Sequence, residues 1–337
     1  MMLRRHLFLL ALQSGRFDAA IEMVRAAKKA GQVRSAALYI RQGKYTAVES
    51  PGGIYLLASI TKPMTATALM LLADRGELKL NDKVSKFIPE FSGADRAATT
   101  IKHLLTHSSG LPDMLPENEA LRKRHAPLKE WVALTCKTKL LFAPGSEVRY
   151  QSMGILLAAE IAERITKTPL RAFLAKEIFK PFGMRTASLG LGGRTIPTTE
   201  QCEVTNNDDW NWNSPYWRNL GVPWGGAHAA VADVAKFLEA FLKKDNGILK
   251  PATSASMIVN QTAGLNEPWG LGFMVKPGTF GRKCSGATFG HYGSTGTVAW
   301  ADPKSDLVCV LLTTKPADSS RANLLGPVSD RVAELAG

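Results

Sequence analysis

The chain has 337 residues, 45% of them hydrophobic and 21% charged, with a formal net charge of +13. This is an ordinary globular composition, long enough for a real core in one large domain or two small ones, which sets aside disordered and fibrous classes. The basic residues come in scattered short groups (Arg4-Arg5, Lys28-Lys29, Arg122-Lys123-Arg124, Lys243-Lys244, Arg282-Lys283) with no nucleic-acid-binding motif; they read as a solvated basic surface, with long-range attraction of anionic substrates left open.

In chain order, residues 1–12 place Arg4 and Arg5 ahead of a short apolar run, Leu7 to Leu12. The run resembles a signal peptide but lacks a following small-x-small cleavage site, so the compartment stays open. No apolar stretch reaches the length needed to span a bilayer. Residues 14–31 read as an amphipathic helix with Phe17, Ala20, Ile21, Val24 and Ala27 on one side and Gly31 at its end. Strands over 35–41 and 45–49 follow, turning at Gln42-Gly43-Lys44.

A helix then starts close to Ser59, with an apolar stripe from Met64 to Leu72 and Gly76 as its C′ residue. From Leu78 to about Gly221 the pattern changes to helical stretches (101–106, 128–135, 153–166, 169–179) separated by Pro- and Gly-bearing loops. A helix over 231–243 comes next, then strand-like segments at 269–276, 287–291, 295–301 and 307–313, and a closing helix near 328–336. The expected fold is of the α/β (α+β) class: an antiparallel sheet built from both ends of the chain, flanked by helices, with a mostly helical insertion. Residues 14–76 and 225–337 form the α/β subdomain and 77–224 the helical one, together one catalytic domain.

Three short motifs carry chemistry. Ser59-Ile60-Thr61-Lys62 is the only S-x-x-K in the chain. Its helical spacing puts the Lys62 amine beside the Ser59 hydroxyl, at the positive end of the helix dipole, and a serine with a base in reach is a nucleophile. Taken alone, the same residues also fit an N-cap serine and a solvated lysine. Tyr150-Gln151-Ser152 precedes the 153–166 helix, where a tyrosine whose pKa is lowered by a nearby cation can relay a proton. His291-Tyr292-Gly293 is the only H-x-G; it ends a strand pattern, and a strand edge there exposes an N–H of the kind an oxyanion hole needs.

In order and spacing these motifs resemble the serine β-lactamase and penicillin-binding-protein superfamily, on the branch holding class C β-lactamases, D,D-carboxypeptidases, D-aminopeptidases and family VIII carboxylesterases. Supporting phrases include residues 101–112 (IKHLLTHSSGLP), Phe142-Ala143-Pro144-Gly145, Gly183-Met184-Arg185-Thr186 and Trp269-Gly270-Leu271-Gly272-Phe273. The resemblance covers roughly residues 15–336 and implies a β-lactamase-like fold. It also implies an acyl-enzyme on Ser59, with Lys62, kept near neutral by burial and neighbouring positive charge, taking the serine proton. Tyr150 would pass a proton to the leaving group. The N–H groups of Ser59 and Ser294 would form the oxyanion hole beside Gly293, and Ser152 and His291 would hold the tyrosine and orient the substrate. Neither metal nor cofactor is implied; the partner is a small ester, amide or peptide, with no nucleic acid expected and the oligomeric state open.

Two departures shape the expected activity. Ser152 stands where the family usually has asparagine, and His291 replaces the lysine of Lys-Thr-Gly, removing a permanent cation for a β-lactam carboxylate. Carboxylesterase activity is therefore expected first, then D-stereospecific peptidase or D,D-carboxypeptidase, then β-lactamase; a non-catalytic penicillin-binding sensor is the alternative outside enzymes. Trp212, Trp217 and Trp224, in an aromatic-rich stretch near the cleft of such proteins, are expected to wall it for an acyl or aryl group, against the plainer reading of loop anchoring. Trp224-Gly225-Gly226 resembles the W-G-G of family VIII esterases but lies well ahead of the third motif. His103 and His107, four apart, read as structural because Leu104 occupies the place where a zinc peptidase needs glutamate. Cys136, Cys202, Cys284 and Cys309 are too scattered for a zinc or disulfide framework.

Overall fold

The computed structural model describes residues 15–204 and 209–337, so the signal-like segment at residues 1–12 lies outside the described residues. Helix α1 (Asp18–Lys29) buries Ala20, Ile21, Val24 and Ala27, with Phe17 buried just ahead of it. Gly31 follows at φ +69°, a conformation that glycine adopts without steric penalty. Strands β1 (Ala36–Gln42) and β2 (Tyr45–Glu49) form the first hairpin. From the other end of the chain come β6 (Phe289–Gly293), β7 (Thr297–Asp302) and β8 (Leu307–Thr313), the last two a hairpin close to the strand-like segments read at 295–301 and 307–313.

All five strands join one antiparallel sheet in the order β2-β1-β8-β7-β6. The two ends of the chain meet at β1 and β8, paired from Ala36↔Thr313 to Gln42↔Leu307. Strands β7 and β8 are buried at every residue because both faces of the sheet are covered. Alternate side chains part accordingly. Leu38, Ile40, Val298, Trp300, Cys309 and Leu311 pack with α1 and the C-terminal helix over Gly326–Ala336. Ala37, Ala299, Ala301, Val308, Val310 and Leu312 pack with the larger core, which also takes in Met64, Leu156 and Phe237.

Helix α2 (Thr61–Asp74) runs through that second core and packs against α3 (Met153–Thr166). It is buried all round from Thr61 to Leu72, so the apolar stripe expected from sequence belongs to a central helix rather than a surface one. Its end closes as a Schellman motif: Gly76, at φ +77°, donates to the Ala73 carbonyl, and Glu77 N–H donates to Leu72. Helices α4 (Val231–Leu242) and α5 (Gly326–Ala336) cover opposite faces of the sheet.

Three expectations change. Residues 269–276 form no strand; they turn back on themselves, with Gly270 N–H donating to Phe273 O. Gly272 sits at φ +83° so close to α2 that a Cβ there would lie 2.5 Å from Ala66 Cβ. Only isolated bridges, Trp269↔Met274 and Met274↔Gly290, record the extended character read from sequence. The strand read at 287–291 falls at 289–293, so His291 lies inside β6 rather than at its end. A second sheet, ordered β3-β5-β4, is built from β3 (Tyr55–Leu56), β4 (Ser188–Leu189) and β5 (Ala227–Ala229), each too short for alternation to reveal.

Candidate active site

The small sheet holds the segment that carries Ser59. Strand β3 pairs with β5, Leu57 N–H donates to Ala227 O at 2.8 Å, and Ala227 N–H donates to Thr61 Oγ1 at 3.0 Å. Between these clamps the chain makes a single 3₁₀ turn, Ala58–Ile60, before α2 begins. Ala58 is held at φ +47°, a left-handed conformation that costs a non-glycine residue on the order of 1–3 kcal/mol and persists only where its surroundings impose it.

One helical turn on, Lys62 is fully buried. Its Nζ lies 3.0 Å from Ser59 Oγ and donates to the Trp224 carbonyl at 3.1 Å. Burial pulls the amine down to about 7, against a smaller upward pull from Asp113. The neighbouring positive charge expected to share in this is replaced by a negative one; desolvation alone lowers the pKa. Protonated, Lys62 donates to both Ser59 Oγ and the Trp224 carbonyl; once neutral, it can keep one N–H on Trp224 and accept the Ser59 proton with its lone pair.

Tyr150 closes the other side of the lysine. Its ring centroid is 4.6 Å from Lys62 Nζ. Burial pushes the phenol far above its ordinary value, and its interaction with the Ser59 side chain offsets only part of that. The expected lowering by a cation is therefore reversed: Tyr150 stays protonated at neutral pH and is a donor. Its ring packs against His107 (4.8 Å), Trp269 (5.9 Å) and His291 (5.9 Å). His107 Nδ1 accepts the Gln151 N–H, which holds the loop that carries Tyr150, while His103 closes a capping box with Thr100. The two histidines thus serve different segments.

Ser152 and His291 do not hold the phenol by hydrogen bonds. Ser152 Oγ donates to Asp113 Oδ1 at 2.6 Å, and His291 Nδ1 pairs with the Tyr292 carbonyl at 2.6 Å. Burial lowers His291 to about 3, so it is neutral, as its place in the third motif suggests. The strand edge beside Ser59 comes from the end of β6. A Cβ on Gly293 would lie 2.4 Å from Leu57 O and 2.2 Å from Thr297 Oγ1, so only glycine lets β6 approach the serine segment this closely. Thr295 and Thr297 donate from their hydroxyls to Leu56 and Leu57 carbonyls and lock that approach. Ser294, the next residue, lines the same cavity as Ser59.

That cavity is about 220 Å³ and brings Ser59, Tyr150, Ser152, Ser294, Trp212, Trp217 and Trp224 together. Lys62 and His291 stand one layer behind it. Three of its lining residues escape sequence reading: Asp113, Met114 and Arg122. Asp113 directly follows the leucine–proline phrase at 111–112, which was a usable signal. Arg122 was grouped with Lys123 and Arg124 as solvated basic surface, yet it is only 6% exposed and its guanidinium lies 4.1 Å from the Trp217 ring and 4.2 Å from Trp210. Nothing in a run of three basic residues says which one turns inward. Among the described residues no three His, Cys, Asp or Glu side chains converge in a way that would hold a metal ion.

Comparison with known proteins bears on this arrangement. A family model described as Beta-lactamase matches residues 20–330. The chain is similar to the D-alanyl-D-alanine-carboxypeptidase/endopeptidase AmpH of Escherichia coli (strain K12), 25% identical over 303 residues that cover 83% of this chain and 76% of that protein. It is 35% identical to Esterase EstB of Burkholderia gladioli over 147 residues, 39% of this chain and 37% of the esterase. Among solved structures it shares the fold of EstCE1, described as a hydrolase with promiscuous acyltransferase activity, with a TM-score of 0.78 at 20% identity over 95% of this chain and 98% of the other.

Proposed function

The chain belongs to the Beta-lactamase family, and from that premise we propose that it is a serine hydrolase cleaving small esters or amides through a Ser59 acyl-enzyme, with carboxylesterase activity foremost. The observation that carries this reading is the buried Lys62 amine, 3.0 Å from Ser59 Oγ and poised near neutrality. A general base with a pKa near the working pH combines a useful neutral fraction with useful basicity.

In this reading Ser59 Oγ attacks the substrate carbonyl carbon while its proton passes to neutral Lys62. The oxyanion is held by the N–H groups of Ser59 and Ser294, across the approach that Gly293 permits. Collapse breaks the bond to the leaving group, which takes its proton from the Tyr150 phenol, and the protonated Lys62 beside the ring returns a proton to the phenolate. Water then enters, loses a proton to the same pair and releases the acid. Asp113 holds Ser152 in the place of the family's asparagine and sets the charge opposite Lys62.

Peptidase action on D-amino-acid bonds is the second reading, favoured by the similarity to the carboxypeptidase/endopeptidase over most of the chain. Incubation with a fluorophosphonate followed by intact mass and peptide mapping tests the first part: one adduct on Ser59 is expected, and none on Ser59→Ala. Parallel turnover of p-nitrophenyl esters, D-amino-acid amides and nitrocefin then ranks the activities. No adduct on Ser59 would leave a binding protein in place of an enzyme.

A further inference from the structure

Arg122 sits on the short helix Asn118–Lys123 and faces the same cavity as Ser59. Its guanidinium is flanked by Trp217, Trp210 and, at 5.9 Å, Trp131. Those rings lie close to the cation, but they supply no hydrogen-bond acceptor to its N–H groups. Nη2 reaches only the Met114 sulfur, at 3.7 Å, and the buried Nε has no acceptor. The nearby carboxylates are engaged elsewhere: Glu119 accepts the Trp210 indole N–H at 3.3 Å, and Asp113 accepts Ser152. Among the described residues no carboxylate forms an ion pair with Arg122. Glu119 and Asp113 attract the guanidinium only through space, so the desolvated cation has no contact ion pair, a penalty that an incoming anion offsets.

The cation is also in a useful place. Arg122, Met114, Trp212 and Trp217 form one wall of the cavity, with Ser59 on another. The third motif brings no positive charge, since His291 is neutral. A planar guanidinium held between aromatic rings presents a fixed fork matched to a carboxylate. The chain's net charge of +13 favours the approach of anions from solution.

We propose that Arg122 is a specificity-determining residue that binds a carboxylate on the acyl part of the substrate, so that the preferred substrates are esters or amides of carboxylate-bearing acyl groups. This rests on the serine hydrolase reading and narrows it to a substrate class. The tryptophans supply contact area for the acyl chain, and the arginine selects its far end.

Boronic acids test the binding step, because Ser59 Oγ adds reversibly to boron and leaves the aryl group in the acyl position. Inhibition constants of 3- and 4-carboxyphenylboronic acid are compared with those of their neutral methyl esters and of phenylboronic acid. For the unmodified protein, at least one carboxylate is expected to bind about tenfold or more tightly than its methyl ester, the range of a charge-assisted pair. Arg122→Gln should bring that ratio to near one while leaving phenylboronic acid nearly unchanged, and Arg122→Lys should keep part of the ratio. Equal binding of acid and ester by the unmodified protein, or an undiminished ratio in Arg122→Gln, overturns the proposal. Should Arg122→Gln fail to fold, Arg122→Lys decides: a reduced ratio supports the fork, an unchanged one refutes it. Failure of phenylboronic acid and the fluorophosphonate to engage Ser59 at all is a different result, and it removes the hydrolase reading itself.

Discussion

Replacing Lys62 with methionine separates what the lysine does for chemistry from what it does to the fold. The side chain is fully buried and its amine is lowered from 10.5 to about 7. In the unfolded chain the amine regains its ordinary basicity, so between about 7 and 10.5 the unfolded state binds more protons and stability falls as pH drops through that window. Below about 7 the penalty levels off at about 4–5 kcal/mol, taking about 1.4 kcal/mol for each pKa unit. Methionine removes the penalty but leaves the Trp224 carbonyl without its donor, a loss of about 1–3 kcal/mol that does not vary with pH. Lys62→Met is therefore expected to be inactive yet more stable than the parent at pH 7, and that advantage should shrink by about 2 kcal/mol between pH 7 and pH 9. Paired urea melts at several pH values measure the difference, in which titrating groups not coupled to Lys62 cancel; the histidines that Lys62 shifts, His107 and His291, are held below their ordinary values. A stability difference that stays flat with pH would refute the buried neutral amine, and with it the base assigned to Ser59.

The same amine should set the acid limb of activity: kcat/KM of the parent for a neutral ester rises with pH through an inflection near 7, as Lys62 loses its proton. In Asp113→Asn the Ser152 hydrogen bond can persist, but the charge that raises the Lys62 pKa is gone, so the inflection should move to lower pH; an unmoved profile would mean that Asp113 does not act on the lysine. Gly293→Ala drives a Cβ to 2.4 Å from the Leu57 carbonyl, two residues before Ser59. It is expected to lose about 1–3 kcal/mol of stability and a larger share of turnover, read by urea melts beside fluorophosphonate labelling rates; wild-type labelling would show that the close approach of β6 is dispensable.

Local order in the chain was enough to announce much of this molecule. Helix α1, the β1–β2 hairpin, the β7–β8 hairpin and the ends of α2 follow from periodicity and from glycines that close turns, all interactions between residues near each other in sequence. The contact between Ser59 and Lys62 is of the same kind, since helical spacing alone brings the two together. The ordered motifs then pointed to a sheet shared by both ends of the chain, because the family's arrangement comes with them.

Tertiary structure decided whatever depends on surroundings. The pKa of Lys62 falls because helix α2 is covered on every side, and that of Tyr150 rises for the same reason, against the expectation drawn from a nearby cation. Segment 269–276 reads as a strand by composition, yet Gly270 and Gly272 fold it across α2. Arg122 is indistinguishable in sequence from the basic residues beside it, and only the packing of Trp210, Trp217 and Met114 turns it into the cavity. Burial and charge pairing are sums over neighbours contributed by distant parts of the chain, which is why no local pattern announces them.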